Sequence, residues 1–282
     1  MTIRPMHWLE QQTGQQRELL LIIDTVAAPE VIAALFRLTP LRGYVRLFQG
    51  TEFEDLLEQS PWLIRIESSS MKAATHLLQN PALNWGWIAS AAKLDLNKIA
   101  QHWRERMVFT ADEQRWFYRF QDNRIISQHL KALTPAQIPL LLGPLCHALC
   151  WNGEQWQSFE NEHPASYPAP FPTPWLEVPD PAEVAEEIER RALTAWLWEQ
   201  HGEATQVLAE TQPLEPWLAL QLQRARDWLW HTCEQKYFLL THQLNPTLAE
   251  QPAWDPRADE TPEQHFARCQ REFFIRNDGG WA

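Results

Sequence analysis

The residue best placed for chemistry is Asp24, which ends the apolar run Leu19–Ile23. Enzymes with α/β folds often place catalytic carboxylates at the ends of buried strands. Asp24 could therefore act in a hydrolase or transferase of unfamiliar type. The alternative is that its carboxylate caps a turn or the next helix. Since no second carboxylate at a strand end is evident to shift its pKa, the capping role is favoured.

A second charged group consists of Arg119, Asp122 and Arg124, which follow an aromatic stretch. With Asp24, an enzyme could use these side chains as an anion site. They could instead form a structural ion-pair cluster where a strand turns into a helix, because paired Arg–carboxylate hydrogen bonds are common in purely structural positions. The sequence favours the structural role.

Other patterns that would indicate catalysis are missing from the sequence. It has no G-x-S-x-G elbow and no H-E-x-x-H helix, and its 9 glycines form no phosphate-binding cluster. Isolated buried cysteines are more common than a scattered zinc site, and this chain has no C-x-x-C pair. We therefore expect no enzyme activity, no cofactor and no metal. The four cysteines of the chain are Cys146, Cys150, Cys233 and Cys269. Their unpaired spacing suits a reducing compartment.

Strand-like and helix-like segments alternate through residues 1–160, which favours a sheet with flanking helices. Predicted strands cover residues 18–24, 44–48, 62–66 and 85–89, with helical patterns between them and over 94–107. Two hairpins are expected further on. One turns at residues 111–114, and the other turns at Asn152-Gly153, a strong turn signal.

The chain changes character after residue 160. Seven prolines lie between residues 164 and 181, a density that excludes both helix and central strand. Beyond them we expect a helix from Asp180-Pro181 to about Gly202, a long helix over 215–243, and a last helix opened by Thr261-Pro262. The predicted fold class is α/β, an N-terminal sheet with flanking helices followed by a C-terminal all-helical lobe. The predicted domains are an α/β domain over 1–160, a proline-rich linker over 161–180 and an acidic helical lobe over 181–282.

The formal charge of −12 is unevenly distributed. Residues 1–160 hold 15 Lys and Arg against 16 Asp and Glu, whereas residues 161–282 hold 9 against 20. An acidic half argues against nucleic acid and anionic membranes as partners, since both need a basic face. It permits a basic protein partner, although an acidic face can also serve only solubility.

The sequence also predicts where the protein acts. No apolar run approaches the roughly 20 residues that a membrane-spanning helix requires. The first residues reach polar Gln11 and Gln12 without the apolar core of a signal peptide. We therefore expect a cytoplasmic location.

Tryptophan is unusually frequent, with 16 Trp against 4 Tyr. Residues two apart on a helix cannot share a face, so at least one member of each Trp-x-Trp pair must leave the main apolar stripe. Such a residue packs on a second surface or contacts a partner. A tryptophan-rich core is the simpler alternative. The candidate partner-binding residues are Trp196, Trp198, Trp217, Trp228 and Trp230.

The order of motifs in the first part resembles a known family. The motifs are the strand Leu20–Asp24, then Leu47-Phe48-Gln49-Gly50-Thr51, Ser60-Pro61-Trp62-Leu63-Ile64, Trp85-Gly86-Trp87-Ile88-Ala89-Ser90, Phe117-Tyr118-Arg119-Phe120-Gln121-Asp122-Asn123-Arg124 and Leu142-Gly143-Pro144. Over roughly residues 18–160 the chain resembles the bacterial type VI secretion adaptor-chaperone family built on domain of unknown function 4123. That family usually has Asp-Pro-Arg where this chain has Asp122-Asn123-Arg124, which keeps both charges.

The resemblance implies a cytoplasmic, non-enzymatic chaperone or adaptor. Such a protein binds a cognate secreted effector and helps to load it onto the VgrG spike, without being part of the delivered toxin. The family supplies no catalytic residues to carry over, and its variable helical C-terminal region suits a partner-specific lobe. An immunity protein that blocks a toxin is a third hypothesis, beside the adaptor and the unfamiliar enzyme.

Overall fold

The structure is a computed structural model that describes residues 3–38, 43–111 and 114–277. Within these ranges the chain divides into two units, with the division between Val184 and Ala185. The first unit contains every strand of the described residues, and the second is helical. The predicted fold class, an N-terminal sheet with flanking helices followed by an all-helical lobe, is therefore confirmed.

The first unit begins with a helix and then alternates strands with helices. In chain order its elements are α1 (Pro5–Gly14), β1 (Glu18–Ile23), α2 (Val31–Leu38), β2 (Tyr44–Arg46), β3 (Trp62–Ile66), α3 (Met71–Leu78), β4 (Gly86–Ala91), α4 (Leu96–Arg104), β5 (Val108–Ala111), β6 (Gln114–Phe117), α5 (Asn123–Ala132), α6 (Ile138–Leu142), β7 (His147–Trp151) and β8 (Trp156–Glu160). Short 3₁₀ helices lie at Glu54–Gln59, Ser68–Ser70, Pro81–Leu83 and Pro174–Glu177.

Six of these strands form one antiparallel sheet in the order β2-β3-β1-β4-β7-β8, among the residues that the structure describes. The apolar run of β1 explains its place inside this sheet. Leu20 and Ile22 enter one hydrophobic core, whereas Leu19, Leu21 and Ile23 enter the core on the opposite face. This alternation is the period-two pattern of a strand. The residues on both faces are apolar because helices cover both faces of the sheet.

A close backbone approach fixes the end of β1 against β4. Gly86 has φ +122°, and a Cβ atom there would lie 1.9 Å from the carbonyl oxygen of Ile22. Only glycine fits such a contact. One residue further on, the backbone N–H of Asp24 donates to the carbonyl of Trp85 at 2.8 Å.

Both predicted hairpins are present. Strands β5 and β6 pair as a separate two-stranded sheet, and the predicted turn residues Asp112 and Glu113 lie outside the described residues. Strands β7 and β8 pair around Asn152, whose Oδ1 accepts hydrogen bonds from the backbone N–H groups of Glu154 and Gln155.

The proline-rich segment, residues 161–180, lies within the first unit. Trp175 is completely buried there and stacks near Tyr118, with ring centroids 6.3 Å apart. Phe171 packs under the guanidinium of Arg106 at 3.8 Å, and Arg106 donates to the carbonyl of Tyr167. Packing of these aromatic side chains holds a segment that has few backbone hydrogen bonds of its own.

The second unit consists of helices joined by short loops. Helix α7 (Ala182–Gln200) spans the division between the units and is followed by α8 (Gly202–Thr211), α9 (Leu214–Asp227), α10 (Cys233–Gln243), α11 (Pro246–Ala249), a 3₁₀ turn at Pro252–Trp254 and α12 (Pro262–Asn277). Gly202 opens α8, a helix that the sequence pattern does not predict. The last helix begins at Pro262, as predicted.

The long helix predicted over 215–243 is wrong, because the chain breaks into α9 and α10. Leu229 adopts a left-handed conformation with φ +57°. Thr232 then starts α10 with a capping box, in which its Oγ1 accepts from the N–H of Gln235 and the side chain of Gln235 accepts from the N–H of Thr232. The Thr-x-x-Gln signal was present in the sequence, but the continuous apolar spacing concealed it.

Candidate functional site

The carboxylate of Asp24 caps the turn that follows β1. Its Oδ1 accepts hydrogen bonds from the backbone N–H groups of Val26 at 2.9 Å and Ala27 at 3.0 Å. Its Oδ2 is buried and accepts no hydrogen bond from the described residues, but it lies 3.8 Å from Nη2 of Arg119. The structure thus brings together two charged groups that the sequence placed far apart.

Asp122 is the second buried carboxylate, and it caps the N-terminus of α5. Its Oδ1 accepts from the backbone N–H of Arg124 at 3.0 Å. Its Oδ2 accepts from Arg119 at 3.2 Å and from Arg124 at 2.9 Å. Arg119 therefore bridges the end of β1 and the start of α5, and the four residues form a buried ion-pair cluster.

Burial dominates the electrostatics of this cluster. It raises the pKa of Asp24, while the hydrogen bond from Ala27 and the charge of Arg119 act in the opposite direction. Neither carboxylate has any exposed surface, and only the two arginine side chains are partly accessible to solvent. A substrate could not touch Asp24 without opening the structure. The geometry is suited to joining two elements and offers no exposed reactive group.

The five candidate tryptophans have different environments within the second unit. Trp217 and Trp230 are buried, and Trp196 and Trp228 are half-buried, whereas Trp198 is 47% exposed. The two-residue spacing therefore places Trp196 and Trp198 in different environments, and likewise Trp228 and Trp230. Of the five, Trp198 alone exposes nearly half of its surface to a partner without a change of structure.

Trp228 and Trp230 belong to an aromatic core. Trp228 stacks parallel to Trp254 at 6.1 Å, and its edge contacts the ring of His265. Trp230 also packs against His265, and its indole N–H has no hydrogen-bond acceptor among the described residues. Burial lowers the pKa of His265, whose Nε2 lies 2.9 Å from the carbonyl oxygen of Trp254. These two tryptophans therefore stabilise the helical unit from within.

Trp196 lies at the surface between α7 and α10. It stacks on Tyr237 with ring centroids 4.4 Å apart, and its edge contacts His201 at 4.9 Å. Tyr237 is itself 37% exposed. A salt bridge between Glu189 and Lys236 joins the same two helices. Trp198, two residues later on α7, is exposed, and so is Glu199, the next residue in the sequence.

Residues 19–139 match the family model described as Domain of unknown function (DUF4123). No curated protein and no solved structure matches the chain.

The DUF4123 match contains all of the ion-pair cluster and none of the candidate tryptophans. Asp24 lies near its beginning, and Arg119, Asp122 and Arg124 lie near its end. The buried cluster therefore fastens together the two ends of the matched segment. The helical unit, with Trp196 and Trp198, lies wholly outside it.

Two further properties concern metals and membranes. Among the described residues, no three His, Cys, Asp or Glu side chains are grouped so that they could hold a metal ion. Within the same ranges, no helix is both long enough and apolar enough to cross a membrane.

Proposed function

We propose that this protein is a non-enzymatic chaperone or adaptor that binds a cognate type VI secretion effector and helps to load it onto the VgrG spike. It acts in the cytoplasm, before the effector leaves the cell. In this proposal the DUF4123 segment is the common platform, and the acidic helical unit recognises the individual effector.

The observation that carries the proposal is the exposure of Trp198, a tryptophan on α7 that is 47% exposed. A large aromatic side chain exposed on an ordered helix is the kind of residue that dominates binding energies at protein interfaces. Glu199 and Glu203, which follow Trp198 closely in the sequence, are both exposed. Residues 161–282 as a whole carry 20 acidic against 9 basic residues. Charge complementarity would therefore favour a basic surface on the effector.

Two supports come from the first unit. The family model matches the same region in which the order of motifs resembles the adaptor family. The cluster around Asp24, which was the best candidate for catalysis, is buried and neutralised by arginine. Its side chains act on the fold and present nothing to a substrate, which favours binding over chemistry.

Co-expression with the effector encoded nearby tests the proposal. We expect a complex that survives gel filtration and an effector that is more soluble than when it is expressed alone. Trp198→Ala should weaken this complex, whereas Leu220→Ala, which changes an equally exposed apolar residue on α9, should not. An effector that is equally soluble alone and forms no complex would contradict the proposal.

The immunity hypothesis predicts a different phenotype. An immunity protein protects the target cell from the toxin, whereas an adaptor is needed only in the attacking cell. Deleting the gene separately from attacker and target distinguishes the two. Loss of killing after deletion from the attacker alone is the result that we expect.

A further inference from the structure

The six-stranded sheet has an edge at β2 that no described residue pairs with. Among the described strands β2 pairs only with β3, with Tyr44 opposite Ile64 and Arg46 opposite Trp62. An unpaired edge is a template for another strand, and proteins usually shield such edges. The other edge strand, β8, carries no exposed large apolar side chain, whereas β2 does.

The hydrogen-bond register shows which backbone groups of β2 point outward. Gly43 accepts from the N–H of Arg65, and Leu47 donates to the carbonyl of Pro61, so these positions face β3. In an antiparallel pair the direction alternates from residue to residue. The N–H groups of Tyr44 and Arg46 therefore face away from β3, and so does the carbonyl of Tyr44.

An aromatic cluster lies beside this open edge. Phe36 on α2 and Tyr44 on β2 are 42% and 43% exposed, and their rings meet edge to face at 6.0 Å. Tyr44 also stacks on Trp62 at 4.9 Å. These rings hold one another in place, so little conformational freedom would be lost when a partner covers them.

Arg46 adds a positive charge to the same face. Its guanidinium lies over the ring of Trp62 at 5.3 Å and donates to the carbonyl of Leu57 at 3.0 Å. These two contacts of the guanidinium with described residues include no carboxylate. A carboxylate on the partner would complement this charge.

We propose that β2 accepts an added strand from a partner protein. The partner segment is extended and runs antiparallel to β2, as do all pairs of this sheet. It places an acidic residue opposite Arg46 and, two residues later, an apolar residue opposite Tyr44. Backbone hydrogen bonds to Tyr44 and Arg46 supply affinity, and the two side-chain contacts supply specificity. This site is on the first unit and does not depend on the proposed role of Trp198.

A synthetic peptide tests the site on the full chain. The probe is a capped seven-residue peptide of Thr with Glu at the third position and Phe at the fifth. At millimolar concentration it should slow hydrogen exchange at the amides of Tyr44 and Arg46. A version methylated on the backbone nitrogens that would face β2 should give no protection, because the methyl groups remove its N–H donors and keep its carbonyls too far away to accept from Tyr44 and Arg46.

Variants separate the side-chain contributions. Tyr44→Ala should raise the Kd of the peptide up to about fivefold, the effect of losing one cross-strand aromatic pair. Arg46→Glu should weaken binding of the peptide with Glu at the third position. It should strengthen binding of a peptide that has Lys at that position instead. The control is Leu83→Ala, which changes another exposed apolar residue of the first unit.

Three results would overturn the proposal. The first is absence of protection at Tyr44 and Arg46 in the folded chain. The second is equal protection by the methylated peptide. The third is that Tyr44 and Arg46 are already protected without peptide, and that this protection is lost on dilution as a dimer dissociates. The edge would then pair with a second copy of this chain. Trp198→Ala should leave peptide binding unchanged, so failure here is distinct from failure of the effector test.

Discussion

The guanidinium of Arg119 lies 3.8 Å from the carboxylate of Asp24, although the two residues come from opposite ends of the segment that matches the family model. Arg119 also contacts Asp122 at 3.2 Å, so that one cation serves two buried carboxylates. A cation in this position neutralises charge that burial would otherwise make costly. The relationship explains why residues typical of a catalytic site can be structural here.

Removal of Arg119 should therefore destabilise the first unit. In Arg119→Ala, Asp24 is left buried with no cation within ion-pair distance among the described residues, and we expect the free energy of unfolding to fall by about 3 kcal/mol. Asp24→Ala should cost about 1–3 kcal/mol, because the N–H groups of Val26 and Ala27 lose their acceptor. Urea unfolding measures both.

The matched control is Arg115→Ala. Arg115 pairs with Glu52 at 2.6 Å, but both side chains are more than half exposed. Exposed ion pairs contribute little to stability, so this variant should unfold like the unmodified chain. Equal losses for Arg119→Ala and Arg115→Ala would contradict the structural role of the buried cluster.

His102 should make the stability of the first unit depend on pH. Burial, assisted by the charge of Arg106, lowers its pKa to about 3, and its Nε2 lies 2.8 Å from the carbonyl oxygen of Leu141. The folded pKa is below the unfolded value of about 6.5, so the unfolded chain binds the proton more readily. The stability contribution is complete above pH 6.5 and is lost as the pH falls from there towards 3.

The variant His102→Gln isolates this effect from other acid-sensitive groups, including His129. Between pH 7 and pH 5 the unmodified chain should lose about 2 kcal/mol more of its unfolding free energy than the variant. Urea unfolding at each pH provides the measurement. Parallel pH dependences for the two chains would show that His102 is not the responsible group.

Leu229 should be improved by glycine. Its φ of +57° strains any residue with a Cβ atom, and its side chain is 57% exposed, so little burial is lost on removing it. Leu229→Gly should raise the unfolding free energy by roughly 0.5–1 kcal/mol, observed as a higher midpoint in urea. Leu220→Gly, within α9, should lower it by about 1 kcal/mol. A loss at both positions would mean that the left-handed turn is not strained.

This turn also shows how far local sequence patterns reach. Apolar runs correctly predicted β1, β3 and β4, because a strand that is covered on both faces is apolar throughout. Spacing alone predicted one helix where Leu229 divides α9 from α10. Apolar side chains on two successive helices can continue the same periodicity, and only the capping residues Thr232 and Gln235 mark the new start.

The contact between Asp24 and Arg119 could not be read from the sequence. Each residue had a local interpretation, but their distance depends on how the sheet and α5 pack. The same limit applies to the aromatic edge at Tyr44 and Trp62, which belong to different strands and meet only through the register of β2 with β3. Local patterns find elements, whereas sites built between elements depend on the packing.

The tryptophans of the second unit provide the last prediction. Trp230 is completely buried, and Trp230→Ala should lower the unfolding free energy by about 3–5 kcal/mol through loss of packing. Trp198 is 47% exposed, and Trp198→Ala should change stability by no more than about 0.5 kcal/mol. If Trp198 is the interface residue, its loss should weaken effector binding by roughly 1–4 kcal/mol. Thermal unfolding and titration calorimetry separate the two effects. Unchanged affinity in Trp198→Ala would contradict a role for Trp198 in the interface. If Trp196→Ala also bound normally, the half-buried Trp196, which stacks on Tyr237, would be excluded as an interface residue too.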